Sequence, residues 1–144
     1  MRLSEILLVE DNRDDELLKL EALRISGVAN PVFVVRDGQE ALDYLFREGL
    51  FAHRDENEKP CVVLLDLKLP KIGGLDVLKR LKLDRNARAI PVVILTTSSE
   101  QEDIERSYDA WANSYVRKPL AFDKFVEAIE HLGFYWTRVN VPTE

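Results

Sequence analysis

Four short apolar runs constrain this chain more than any other feature: Ile6-Leu7-Leu8-Val9, Val32-Phe33-Val34-Val35, Val62-Val63-Leu64-Leu65 and Val92-Val93-Ile94-Leu95. A weaker fifth lies near residues 114–117. Each is apolar throughout rather than alternating, the pattern of parallel strands covered on both faces. The segments between them carry helical period. Residues 14–26 and 75–83 form two such segments, and Ala41, Leu42, Leu45 and Phe46 share one face after the turn Asp37-Gly38. Ile104, Tyr108 and Trp111 repeat at i, i+4, i+7, and Phe122, Phe125, Val126, Ile129 and Leu132 form a last stripe with Gly133 as its stop. Every crossover is long enough for a right-handed βαβ unit. The expected fold is therefore a three-layer, doubly wound α/β domain with five strands and five helices.

Length and charge narrow the function classes. At 144 residues the chain makes one ordinary domain, read here as residues 1–133 followed by an extension, 134–144, with no output domain. The net charge of −6 argues against nucleic-acid or anionic-membrane binding. No apolar run approaches the ~20 residues of a membrane span, and the N-terminus lacks the pattern of a signal peptide. The single Cys61 cannot form an internal disulfide, so a cytoplasmic location is expected. Residues 50–60 read as a charged, solvated connector. The extension opens with Phe134-Tyr135-Trp136 and continues through Val139 and Val141, side chains that need burial on this domain or on another chain.

In an open α/β sheet, ligands bind beyond the carboxyl ends of the strands. There this sequence places Glu10-Asp11, Asp66, Thr96 and Lys118, each directly after or at the end of a strand run. Adjacent acids after a strand can simply cap the next helix. If the first and third strands are neighbours, however, Glu10, Asp11 and Asp66 crowd one cleft and repel one another unless a cation is present. Oxygen ligands of this kind suit Mg²⁺, whereas Cys61, His53 and His131 show no zinc-ligand spacing. A carboxylate beside a metal can attack phosphorus to give an acyl phosphate. Thr96 offers a hydroxyl donor and Lys118 a compact cation to the phosphoryl oxygens.

With these residues in place, the chain resembles the receiver domains of two-component response regulators over nearly its whole length. The resemblance rests on Leu8-Val9-Glu10-Asp11-Asn12, on Leu65-Asp66-Leu67-Lys68-Leu69-Pro70 with Gly74, on Thr96 after Pro91, and on Tyr115 three residues before Lys118-Pro119. It implies a flavodoxin-like (CheY-like) sheet of order 2-1-3-4-5. It implies that Asp66 accepts a phosphoryl group from a sensor histidine kinase, and that Glu10, Asp11, Asp66 and the Lys68 backbone carbonyl hold Mg²⁺. Thr96 and Lys118 would bind the phosphoryl oxygens, and Tyr115 would act with Thr96 as the switch. Such a protein is a phosphoacceptor rather than an enzyme. It would signal through the surface of its fourth helix, fifth strand and fifth helix to a downstream phosphotransfer or effector protein.

A narrower resemblance is carried by Arg36-Asp37-Gly38-Gln39-Glu40-Ala41-Leu42, Asp109-Ala110-Trp111-Ala112-Asn113-Ser114-Tyr115 and the aromatic tail. These are similar to the single-domain regulators that serve phytochrome-type kinases, which implies light signalling and a homodimer. Tyr108, Trp111, Phe134, Tyr135 and Trp136 are the expected dimer or partner surface. Three residues depart from the common receiver pattern: Trp111 where Gly is usual, Lys68 beside the cleft, and Thr97 where a smaller residue is usual. Two other classes compete. An aspartate phosphatase would need a second Asp where Lys68 stands, and a phosphorylation-independent binding module would keep the fold without needing the site. His131 reads as a surface residue of the last helix.

Overall fold

The computed structural model describes residues 4–55, 58–96, 101–117 and 122–141, with Arg117 and Phe122 described by backbone alone. Strand β1 (Ile6–Val9) takes partners on both sides, β2 (Val32–Val35) and β3 (Val62–Leu65). Its Val9 stands level with Val35 on one neighbour and with Leu65 on the other. Strand β4 (Val92–Thr96) pairs with β3, and β5 (Ser114–Arg117) with β4. All pairs are parallel and the order is β2-β1-β3-β4-β5. The five apolar runs are the five strands.

Alternation along each strand divides the core in two. Ile6, Leu8, Val62, Leu64, Val93 and Leu95 face α1 (Arg13–Ile25) and α5 (Phe122–Phe134). Leu7, Val9, Val63, Leu65, Val92 and Ile94 face the layer of α2 (Gly38–Phe46), α3 (Gly74–Leu83) and α4 (Gln101–Asp109). Full burial of each such side chain contributes about 1.5–3 kcal/mol. Side-chain caps start two of the helices. Asn12 Oδ1 accepts the Asp15 amide at 3.0 Å and Asp37 Oδ1 accepts the Glu40 amide at 2.7 Å, followed in the first turn by Asp14, Asp15 and Glu16 in α1 and by Glu40 in α2.

Three local expectations are corrected. Gly133 does not stop the last helix, which runs to Phe134 and passes into a π-helical turn, Tyr135–Val139. A Cβ at Gly133 would come within 2.6 Å of Val28 Cγ2, so glycine there permits close packing. Trp111 does not continue the α4 stripe. It lies two residues past the helix end with φ +72° and is 75% exposed. Finally, the described part of the connector, residues 50–55 and 58–60, is anchored rather than simply solvated. Phe51, in the 3₁₀ turn Gly49–Phe51, meets the rings of Phe33 and Tyr44 edge-on. The Arg54 guanidinium stacks 3.6 Å from the Tyr44 ring centroid and donates to Glu5 and to the Tyr44 and Glu58 carbonyls. This cluster lies beside β2, at one edge of the sheet.

Candidate functional site

The strand register builds the site. Because Val9 and Leu65 stand side by side, the residues that follow them, Glu10-Asp11 and Asp66, emerge together at the carboxyl edge of the sheet. Two backbone bonds extend the pairing past the strand ends: the Asp66 amide donates to the Val9 carbonyl at 3.3 Å, and the Glu10 amide to the Val35 carbonyl at 3.0 Å. Thr96 closes β4 on the other side of β3 and is fully buried. Sheet order and register thus bring Glu10, Asp11, Asp66 and Thr96 to one edge. Lys118, Pro119 and Thr97 lie outside the described residues.

Asp66 is 8% exposed. Its Oδ1 accepts the Lys68 amide at 3.2 Å, which fixes the carboxylate against its own loop. That loop is tight for a steric reason. The backbone of Gly74, at the start of α3, approaches so closely that a Cβ there would stand 2.0 Å from the Asp66 carbonyl oxygen. The Gly74 amide also donates to the Leu67 carbonyl at 2.9 Å. Glycine at 74 is therefore a structural condition for where Asp66 sits.

The acid pair is not a helix cap, since Asn12 does that work. Asp11 is exposed, whereas Glu10 is buried and turned inward. Glu10 Oε1 accepts from the Lys19 ammonium, and Oε2 accepts the Asn12 amide at 3.1 Å. Both side chains of the Glu10–Lys19 pair are 1% exposed. One turn earlier on α1, buried Glu16 is held by Arg13 at 2.8 Å and Arg36 at 3.2 Å. Sequence reasoning missed Lys19 and Glu16, and it quoted Arg36 only as part of a motif, without its contact to Glu16. The available signal was two opposite charges three residues apart on a face of α1 that also buries Ala22 and Leu23.

Among the described residues, no three acidic, histidine or cysteine side chains form a ready-made metal cage. The donor chemistry nevertheless fits a hard divalent cation. Asp11 and Asp66 would offer carboxylate oxygens and Lys68 a backbone carbonyl, donor types suited to Mg²⁺ that keeps several waters. The Lys19 ammonium already stands in as a cation against Glu10, the innermost of the three acids.

The expected partner surface is dispersed. Tyr115 is half-buried and packs against the core on the α2–α4 side. Tyr108, Trp111, Phe134 and Tyr135 are exposed, and Trp136 packs against the α1–α5 core. A groove of about 430 Å³ runs beside β5, lined by Asn113, Ser114, His131, Leu132, Tyr135 and Trp136.

Comparison with known proteins gives concordant matches. The family model for the response regulator receiver domain matches residues 6–130. The probable methanogenesis regulatory protein FilR2 of Methanothrix harundinacea is 42% identical over 136 residues, covering 94% of this chain and 84% of that protein. The crystal structure of the phosphorylated cyanobacterial phytochrome response regulator RcpA superposes with a TM-score of 0.90 at 38% identity, covering 99% of each chain. The Mn²⁺-bound response regulator Rcp1, known from Synechocystis, superposes with a TM-score of 0.88 at 31% identity, covering 98% of this chain and 99% of that one.

Proposed function

The chain belongs to the response regulator receiver family, and we propose that within it the protein is a phosphoacceptor of a two-component phosphorelay, loaded on Asp66. The observation that carries this reading is the placement of Asp66. It is nearly buried, held at Oδ1 by the Lys68 amide, and follows β3, which lies between β1, ahead of the acid pair, and β4, which ends in Thr96. Transfer from a phosphohistidine would form a bond between an Asp66 carboxylate oxygen and phosphorus and break the N–P bond, and the imidazole leaves with the electron pair and is protonated.

Asp11, Asp66 and the Lys68 carbonyl would hold Mg²⁺, with Glu10 contributing negative charge from behind. When bound, the ion supplies charge neutralisation for the incoming phosphoryl group. Thr96 donates its hydroxyl to one phosphoryl oxygen, and Lys118, by resemblance, pairs with another. The change is read out through Tyr115 and the surface around α4, β5 and α5. The protein is not a conventional enzyme, since the phosphoryl group stays on it as the signal.

The input is proposed to be a sensor histidine kinase of phytochrome type, because RcpA and Rcp1 match over essentially the whole chain. The site of action is proposed to be the cytoplasm, and among the described residues no helix is long and apolar enough to cross a membrane. The groove beside β5 and exposed Phe134, Tyr135 and Val139 support a homodimer through the 134–144 extension. A Tyr135→Glu variant should then run at half the wild-type mass in light scattering, and equal masses would refute the dimer.

The test of the central reading is incubation with acetyl phosphate and Mg²⁺, followed by mass spectrometry. A single acid-stable, base-labile phosphoryl adduct that disappears in Asp66→Asn is expected. Continuous hydrolysis would mark a phosphatase, and no adduct a phosphorylation-independent binding module.

A further inference from the structure

The most unusual side chain in the molecule is Lys19. It is among the largest fully buried side chains, yet it projects from α1 towards the functional edge rather than towards solvent. Helical side chains lean towards their helix N-terminus. Lys19 therefore reaches back along α1 to the end of β1, where its ammonium meets Glu10 Oε1. An ammonium is tolerated so deep only with a counter-charge, and Glu10 supplies it. Glu16, a buried acid of this helix, has Arg13 and Arg36 as its own partners.

We propose, resting on the reading that Asp11 and Asp66 take a divalent ion, that Lys19 is an internal counter-cation that sets the metal affinity of the acid cleft. Glu10, Asp11 and Asp66 together carry three negative charges at one strand edge, and the ammonium offsets one of them from inside the fold. Two consequences follow. The acids coexist without a metal, so the domain is folded and ready before the ion arrives. The same fixed positive charge repels an incoming divalent ion and holds Glu10 turned inward, so loading is weaker than three unopposed carboxylates would give. Lys19 is thus a positioning residue, acting on the metal through Glu10, and its charge makes the cleft a low-affinity, readily exchanging site.

The experiment is calorimetric titration of the full chain with Mg²⁺, and separately with Mn²⁺, at fixed ionic strength. Lys19→Met should bind about tenfold or more tightly than wild type, since one opposing charge is gone from a partly desolvated cleft. The double variant Lys19→Met/Glu10→Gln restores the net charge and should return to within a few-fold of wild type. A merely structural lysine would leave the Lys19→Met value unchanged and put the double variant below wild type, through the lost Glu10 charge. Equal affinity in wild type and folded Lys19→Met would overturn the role of Lys19 while leaving the metal site standing. Absence of binding in wild type would overturn both. If Lys19→Met is unfolded without metal, millimolar Mg²⁺ should restore its circular dichroism by mass action. Failure to restore it would also overturn the proposal.

Discussion

The Trp111 amide donates to the Tyr108 carbonyl at 3.0 Å, and beside it the Ala112 amide donates to the Ser107 carbonyl at 3.0 Å. This pair of bonds is a Schellman cap, with Trp111 at the left-handed position that usually takes glycine. A bulky side chain there is strained and, at 75% exposure, recovers little by burial. Trp111→Gly should therefore stabilise the fold by about 1 kcal/mol. Urea unfolding should show a higher midpoint at an unchanged slope. A lower midpoint would mean that the indole makes contacts worth more than its strain.

Cys61 allows a pH prediction. Burial, with the Glu5 charge as a smaller contribution, pushes its thiol up from 9.0 to about 11. Between those values the unfolded chain has lost the thiol proton and the folded chain still holds it. The native state then binds more protons, so this residue's contribution to stability is complete below pH 9 and is lost as pH rises towards 11. The stability difference between wild type and Cys61→Ala should shrink by roughly 2 kcal/mol across that window. A pH-independent difference in paired denaturation curves would refute the assignment. At pH 8 the folded thiol should also resist a thiol reagent that labels the denatured chain at once.

The scaffold was legible because its signals are local and redundant. Continuous apolar runs such as Val62–Leu65 admit few readings other than a doubly covered strand, and parallel order then brings Glu10, Asp66 and Thr96 to one edge. What escaped were features set by three-dimensional packing. Gly133 is a natural helix stop by local propensity, but Val28 needs its missing Cβ, and the helix continues. Trp111 fits the α4 stripe by spacing, but α4 ends at Asp109 and the backbone turns left-handed at Trp111 itself. Lys19 and Glu16 look like surface residues of a polar helix until the fold buries both and leaves Leu17 and Leu18 about half exposed. Residue identity revealed which acids gather at the strand edge. It did not reveal that Glu10 faces a lysine from within.

Gly74 should be intolerant of even one methyl group. A Cβ would stand 2.0 Å from the Asp66 carbonyl oxygen and 2.8 Å from Leu67 Cα, both backbone atoms that cannot rotate away. Gly74→Ala must move either the start of α3 or the Asp66 loop. The expected cost is about 1–3 kcal/mol, with a much larger relative loss in the rate of Asp66 phosphorylation, because the loop carries the proposed phosphoacceptor. Parallel measurement of urea midpoints and acetyl phosphate labelling checks this. Normal labelling in a destabilised variant would show that α3 moved and the loop stayed.

Thr96 is where phosphate is expected to become conformation. Driving a two-state domain from 1:99 to 99:1 takes about 5.5 kcal/mol of differential interaction. A lysine–phosphate pair contributes roughly 4 kcal/mol at 4 Å and an effective dielectric near 20, before desolvation. A charge-assisted hydroxyl bond adds about 1.5–3 kcal/mol. The lysine pair alone falls short, so removal of the Thr96 hydroxyl should leave a mixed population rather than abolish labelling. Thr96→Ala should accept phosphate on Asp66 yet shift the Tyr115 resonances only part of the way in NMR spectra. Thr96→Val, which keeps the volume of a fully buried residue and removes only the hydroxyl, should behave alike. A complete phosphate-induced shift of Tyr115 in both variants would place the trigger elsewhere and leave Thr96 as a strand residue filling the core.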